Sequence, residues 1–237
     1  LEGSDAAEAL AQAPTRTNNI CQIFTDTVHV SGTAQAVEQY GIGRGEVDFQ
    51  IRQRMVELGI KVEKAILNGI KGTTTHSASV QRTMNGLFAF VDSGNVVNNS
   101  GVALSQDNVE ADLKKVFDAG GYPSIIMSNS TQNLKIQRMY ESRIRTEVID
   151  NVGGLYINQI MNPVGGGIVM LLVNRRMEDH EVYYLDTRFI DLGELRPFHV
   201  KPLAELGDYT KVELIGEYTL RIKAPKAFAR RYNCSLT

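Results

Sequence analysis

The clearest pattern in the chain is helical: between Glu46 and Asn68, apolar residues recur every three or four positions. They are Val47, Ile51, Met55, Leu58, Val62 and Ile66. The opposite side of the segment is charged, so the pattern predicts one helix with a single apolar stripe that ends at Gly69. At about 1.5 Å per residue, this helix spans roughly 35 Å. Because so long a stripe has to be covered, we expect the helix to lie along a sheet or another body.

Two shorter helices and several strands follow the long helix. Ser105 is placed to cap one helix, and Ser128 or Asn129 is placed to cap another that extends to about Tyr140. Strands are predicted at Ile20–Val30, Ser124–Met127, Leu155–Met161, Ile168–Val173, Val182–Leu185, Val212–Ile215 and Tyr218–Ile222, with a short one at Leu87–Val91. Helices that come first and strands that come later indicate an α+β fold with mixed sheets, with soft boundaries near residues 100 and 190.

Composition indicates an ordinary globular chain without a strong overall field. Of its 237 residues, 43% are hydrophobic and 22% are charged, and the net charge is −2. After Glu217, however, the chain carries only basic charges, at Arg221, Lys223, Lys226, Arg230 and Arg231. Two hypotheses remain open for this basic tail. The first is that it contacts nucleic acid or an acidic surface of a neighbour. The second is that it is a solvated edge strand whose positive charges prevent unwanted pairing.

No catalytic, cofactor-binding or metal-binding residue is predicted. The histidines, His29, His76, His180 and His199, lack the spacing of metal ligands, and Asp179-His180-Glu181 is interpreted as a solvated turn. Asp107, Glu110 and Asp112 are interpreted as acids that suit the start of a helix. The two cysteines, Cys21 and Cys234, are expected to be reduced thiols.

Two glycine-rich segments are interpreted as turns or hinges. The run from Gly41 through Gly43 to Gly45, with Arg44, precedes the long helix but lacks the Lys-Ser/Thr ending of a phosphate-binding loop. We therefore expect a hinge at this position. Gly165-Gly166-Gly167 separates two predicted strands and is expected to form a tight turn.

Several segments together resemble the major capsid proteins of tailed bacteriophages with the Hong Kong 97-like capsid fold. The segments are Glu2–Ala6, Pro14–Arg16, Asn19–Phe24, Val30–Thr33, Gln35–Val37, the long helix, Gly207-Asp208 and Gly216–Leu220. This resemblance covers nearly the whole chain, and its specificity lies in the order and spacing of the segments. It implies an α+β fold with a long spine helix, a peripheral domain sheet, and an axial domain of mixed sheet plus helices.

The resemblance also implies a division of the chain. Residues 1–45 are expected to form an extended arm and the returning part of an extended loop, and residues 46–99 the spine helix and peripheral domain. Residues 100–191 are expected to form the axial domain, and residues 192–237 the return strands to the peripheral domain. Family members have a further N-terminal arm and the outgoing half of the extended loop. With Leu1 in place of Met, the chain is expected to be a C-terminal fragment or a cleavage product.

The function implied by the resemblance is structural and not enzymatic. The chain is expected to self-assemble, as hexamers and pentamers, into an icosahedral head shell that encloses phage DNA, with no cofactor and no metal. Expected further partners are scaffold, portal and decoration proteins and packaged DNA through weak contacts, with no membrane. The expected location is the virion, after assembly in the bacterial host cytoplasm.

Three alternatives stay open at this point. They are the shell of an encapsulin-like bacterial nanocompartment, an enzyme with an unrecognised site, and a structural protein from another part of the virion, such as a tail or decoration component.

Overall fold

The computed structural model describes residues 17–38, 40–41, 45–72, 81–141, 144–148, 156–165, 167–204 and 206–236, with the backbone alone for residues 144–148 and 156–158. The predicted arm before residue 17, together with Gly43, Arg44, His76 and Gly166, lies outside the described residues.

The described chain contains five α-helices and ten strands. The helices are α1 (Gly32–Ala36), α2 (Glu46–Asn68), α3 (Leu87–Phe90), α4 (Gln106–Asp118) and α5 (Ser130–Met139). The strands are β1 (Gln22–Ser31), β2 (Val96–Asn98), β3 (Ile125–Ser128), β4 (Ile144–Val148), β5 (Tyr156–Met161), β6 (Ile168–Val173), β7 (Val182–Leu185), β8 (Ile190–Pro202), β9 (Tyr209–Ile222) and β10 (Phe228–Tyr232).

The long helix has the bounds that the apolar stripe predicts. Acidic Glu46 and Asp48 lie in its first turn, where they favour the positive end of the helix dipole. Gly69 is the C-terminal cap, and its N–H donates to the carbonyl of Ala65 at 3.0 Å. The apolar stripe packs on β1 and β9, with Leu58 among its fully buried side chains. We call α2 the spine helix.

Three antiparallel strands in the order β1-β9-β8 form the sheet beneath the spine helix. Alternate residues of β1 point toward the helix, and Phe24, Val28 and Val30 are buried there. The two strands predicted on either side of Gly216 are one continuous strand, β9. Gly216 allows this because a Cβ at that position would lie 2.7 Å from the Phe198 ring of β8.

A second, mixed sheet has seven strands in the order β2-β10-β7-β3-β6-β5-β4. Its two faces bury different hydrophobic clusters. One face joins the spine helix and the three-stranded sheet through residues such as Tyr183 and Phe228, and we call this the α2 cluster. The other face is covered by α4 and α5 and buries residues such as Tyr184 and Ala229, and we call this the α4–α5 cluster. Predicted caps Ser105 and Asn129 do start α4 and α5.

One local prediction needs correction, and two strands were not predicted. Leu87–Val91 is a helical turn and not a strand, since the N–H of Val91 donates back to the carbonyl of Leu87. Strand β8 was not predicted, because only Gly193 of its residues is buried and the apolar alternation is missing. Strand β10 was also not predicted. It pairs with β2 and β7 in the seven-stranded sheet.

Candidate assembly surface and the ion pairs that support it

Strand β8, an outer strand of the three-stranded sheet, carries a strip of exposed apolar side chains. Neither β1 nor β8 pairs with a second strand among the described residues, so both leave an outer edge uncovered. The strip consists of Leu192, Leu195 and Val200, and Leu195 is 62% exposed. Exposed apolar side chains grouped beside an unpaired strand edge are typical of a surface that another chain covers.

The middle of β8 is irregular but well anchored to β9. The pairing register shifts between Glu194 and Arg196 and again between Arg196 and His199, as in β-bulges. Within this region the N–H of Phe198 donates to the hydroxyl of Tyr218 at 3.1 Å, and their rings lie 5.0 Å apart. The strand therefore stays fixed on the sheet through this irregular region.

A buried carboxylate ties β8 to two other segments. Glu217 of β9 is only 5% exposed. One of its oxygens accepts from Arg196 of β8 at 2.9 Å and from Arg82 at 3.4 Å. Two guanidinium groups from distant segments thus neutralise one acid on the central strand, and this holds the strip-bearing strand in place. No local sequence signal marks this arrangement, because Arg82 is 135 residues from its partner.

Strand β10 gives the last two arginines of the basic tail a role that differs from both hypotheses. Arg230 and Arg231 are buried, at 7% and 6% exposure, and β10 lies between two strands and not at an edge. Arg230 forms an ion pair with Glu181, and its Nε lies 3.1 Å from Oε2. These two arginines are therefore neither solvated guards nor a nucleic-acid contact in this fold.

The partner of Arg231 is one of the acids that had been interpreted as a helix-dipole residue. Asp112 of α4 accepts two hydrogen bonds from Arg231, Nε to Oδ2 at 2.6 Å and Nη2 to Oδ1 at 2.9 Å. The Asp112 side chain is fully buried, which raises its pKa against the opposing effect of the Arg231 charge. The interpretation as a dipole acid is wrong for Asp112, because it lies in the second turn of α4 and faces the sheet.

The described histidines all have structural contacts. Nδ1 of His180 lies 2.9 Å from the carbonyl oxygen of Cys234, and Nδ1 of His199 lies 3.0 Å from that of Pro197. The ring of His29 packs against Tyr209, with centroids 4.3 Å apart. In the part of the chain that the structure describes, no three His, Cys, Asp or Glu side chains come together as a metal site would require.

The turn at Gly165 and Gly167 has the predicted geometry. Both residues have positive φ angles, of 111° and 101°, a conformation that favours glycine. The N–H of Asn162 donates to the carbonyl of Gly167 at 3.0 Å and closes the connection between β5 and β6.

Within the described ranges, no helix combines the length and the apolar character that crossing a membrane requires.

Several solved structures, one of them a capsid, have a similar fold. The SrpI encapsulin complex from Synechococcus elongatus aligns with a TM-score of 0.66 and 13% identity, covering 92% of this chain and 75% of that chain. The capsid of a native GTA particle aligns at 0.59 and 13%, covering 98% and 82%. A structure from Mycobacterium phage Adephagia aligns at 0.58 and 13%, covering 97% and 80%. The fold is thus the Hong Kong 97-like capsid fold.

The sequence itself gives the family. Residues 1–234 match the profile of the SU10 major capsid protein family, and the chain belongs to this family. The major capsid protein of Escherichia phage Phieco32 is 25% identical over 279 residues, which cover 96% of this chain and 78% of that protein. The resemblance drawn from the sequence is confirmed. The chain is a structural subunit of a tailed-phage capsid shell, and the tail and decoration alternatives are not supported.

Proposed function

We propose that copies of this chain associate, as hexamers and pentamers, into a closed icosahedral shell that encloses phage DNA. The observation that carries this proposal is the three-stranded sheet, whose two outer edges pair with no other strand of the described residues, together with the exposed strip of Leu192, Leu195 and Val200 on β8. Rings of five or six subunits require head-to-tail contacts that close by rotation. The strip supplies apolar area for such a contact, and the bulges in β8 hinder indiscriminate edge pairing.

The domain division is part of the proposal. The spine helix with β8 and β9 would form the peripheral domain, and residues 100–191 would supply most of the axial domain. Strand β1, expected to belong to the extended loop, would join the peripheral domain because it pairs with β9. The pairing of β10 with β7 supports assigning this last strand to the axial sheet, contrary to the boundary expected from the resemblance. Scaffold, portal and decoration proteins would be further partners, with assembly in the host cytoplasm before the virion is complete.

We further propose that the role is structural and not catalytic. In the described part of the chain, the buried charged groups at the centre of the fold are engaged in ion pairs, as Asp112 is with Arg231. An acid or base that is committed to an internal partner is poorly placed to act on a substrate.

A nanocompartment shell is the second candidate, because the encapsulin complex has the same fold. That likeness, at 13% identity, concerns the fold alone. The family match favours a phage capsid. The contents of assembled particles separate the two functions, since a phage head holds DNA and a nanocompartment holds protein cargo.

The test is electron microscopy of particles formed by the whole gene product, with a matched pair of substitutions in the strip. Leu195→Asp should lower the yield of closed shells about tenfold or more, because a charge would enter the centre of an apolar contact. Leu195→Met, which keeps volume and polarity, should form shells like the parent. Equal yields from both variants would show that β8 does not contribute the contact, and absence of shells from the parent would contradict the function itself.

A further inference from the structure

Strand β10, like β3 and β7, contributes side chains to both hydrophobic clusters. Phe228 belongs to the α2 cluster and its neighbour Ala229 to the α4–α5 cluster, because successive side chains of a strand point to opposite faces. Cys234, just beyond the strand, is fully buried in the α4–α5 cluster. Residues 228–234 therefore place buried side chains on both faces of the seven-stranded sheet.

The two arginines continue this alternation. On the α2-cluster side, Arg230 pairs with Glu181, and its guanidinium carbon lies 4.3 Å from the centre of the Phe88 ring. On the opposite side, Arg231 pairs with Asp112 and donates to Oδ1 of Asn99 at 2.8 Å. Each arginine is thus held by an acid from a different element, one from α4 and one from the segment before β7.

The rest of the seven-stranded sheet does not need β10 to stay connected. Without β10, the strands β7-β3-β6-β5-β4 still form a continuous sheet, with α5 on β3 and β6. Helix α4 would keep its contact with β7 and lose its larger contact with β10. Strand β2, however, pairs only with β10 among the described strands. Release of β10 would therefore uncover one edge of β7 and free β2, and leave five strands in register.

We propose that residues 228–234 form a latch, which opens and closes as one unit while the rest of the subunit remains folded. The two ion pairs make the latch all-or-none, since withdrawal of one arginine alone would leave a buried carboxylate without its partner. When the whole segment leaves, water reaches both carboxylates. The closed latch fixes α4 relative to α3, because Arg231 and Arg230 hold these two helices from one strand.

The thiol of Cys234 provides a direct measure of the open state. Burial raises the pKa of Cys234 to about 11, so the closed form offers almost no reactive thiolate at pH 8. In a Cys21→Ser background, the rate of labelling by a disulfide reagent such as dithiobisnitrobenzoate then reports the opening of the latch. The same chain followed by circular dichroism in urea reports global unfolding.

If the latch opens on its own, Cys234 should be labelled even in low urea. The labelling rate should then depend on urea concentration only weakly, about half as strongly as global unfolding or less. Arg231→Met should raise this labelling rate about a hundredfold or more, because it breaks a buried ion pair and leaves Asp112 without its partner. Combining it with Asp112→Leu should restore most of the protection, because an apolar pair of similar volume replaces the charges.

Two results would overturn the proposal. One is labelling of Cys234 with the same urea dependence as global unfolding, which would mean that the segment opens only when the whole subunit does. The other is an unchanged labelling rate in Arg231→Met. The first comparison requires only the Cys21→Ser chain, so it tests the latch even if an arginine variant does not fold. Neither result depends on whether the chain forms shells.

Discussion

The backbone N–H of Gly86 donates to the carbonyl of Gly69 at 2.8 Å. Two glycines therefore make the contact between the end of the spine helix and a segment 17 residues later in the chain. Neither position has space for a side chain. A Cβ at Gly86 would lie 2.6 Å from the nitrogen of Gly69, and a Cβ at Gly69 would lie 2.4 Å from the carbonyl oxygen of Ala65. The contact fixes where the chain returns to the helix.

We therefore expect Gly86→Ala to destabilise the subunit by about 1–3 kcal/mol, since backbone atoms on both sides would have to move apart. The free energy of unfolding in urea measures this loss.

Gly59→Ala is the matched control for that substitution. Gly59 lies inside the spine helix, and an added Cβ would meet no atom within 4 Å. Alanine should therefore stabilise the helix by about 0.5–1 kcal/mol through its higher helix propensity. A Gly86→Ala variant that is as stable as the parent, or more stable, would show that the glycine contact is unimportant.

A second prediction concerns the two sides of the spine helix. Leu58 is fully buried against the sheet and Val56 is 64% exposed, although they are two residues apart. Leu58→Ala should cost about 2–5 kcal/mol, because it removes buried methyl groups and leaves a cavity. Val56→Ala should change stability by no more than about 0.5 kcal/mol in the isolated subunit.

The same pair tests the proposed assembly. If a neighbouring copy covers Val56 in the shell, Val56→Ala should lower shell yield without changing the unfolding of the subunit. An unfolding midpoint for Leu58→Ala equal to that of the parent would contradict the packing of the helix on β1 and β9.

The parts of the fold that sequence patterns predicted are those with local signals. The spine helix has a regular apolar stripe that Gly69 ends, and Ser105 accepts from the N–H of Asn108 at the start of α4. Strand β8 lacks such a signal, because its side chains are mostly exposed on both faces. Leu87–Phe90 is apolar enough for a strand, but none of the described strands pairs with it, and the segment forms a helical turn.

The supporting ion pairs were beyond prediction for a different reason. Arg231 and Asp112 are 119 residues apart, and Arg230 and Glu181 are 49 apart. Two adjacent arginines near the end of a chain are usually solvated, so their burial depends on acids that only the tertiary fold brings near. The family resemblance, in contrast, lay in the order of several short segments and did not require these contacts.

A third prediction follows from the position of Glu217 between Arg82 and Arg196. Glu217→Gln should destabilise the subunit by about 1–3 kcal/mol, because two arginines lose a charged partner at a buried position. Glu213→Gln, on the same strand, is the control, since Glu213 makes no ion pair with the described residues. Urea unfolding of both variants should separate them. Similar losses would show that any charge change on β9 has this effect.

The last prediction is an acid-dependent one at Asp186. Burial alone would raise the pKa of Asp186, but hydrogen bonds from Arg188 and from the N–H of Tyr122 outweigh it and hold the pKa below its ordinary value of 3.8. Because the folded state binds this proton less readily than the unfolded state, the carboxylate stabilises the fold above its ordinary pKa. That contribution is lost as the pH falls through the lower pKa of the folded state.

Asp186→Asn should therefore reduce stability at pH 7 by about 1–3 kcal/mol, as expected for lost hydrogen bonds to a charged group. The difference from the parent should shrink steadily below about pH 4 as the parent carboxylate is protonated. Thermal unfolding at pH 7, 4 and 3 measures both effects. Asp179→Asn is the control, because Asp179 is exposed and makes no ion pair with the residues described. A deficit in Asp186→Asn that stays constant down to pH 3 would show that the lost interaction does not depend on the charge of Asp186.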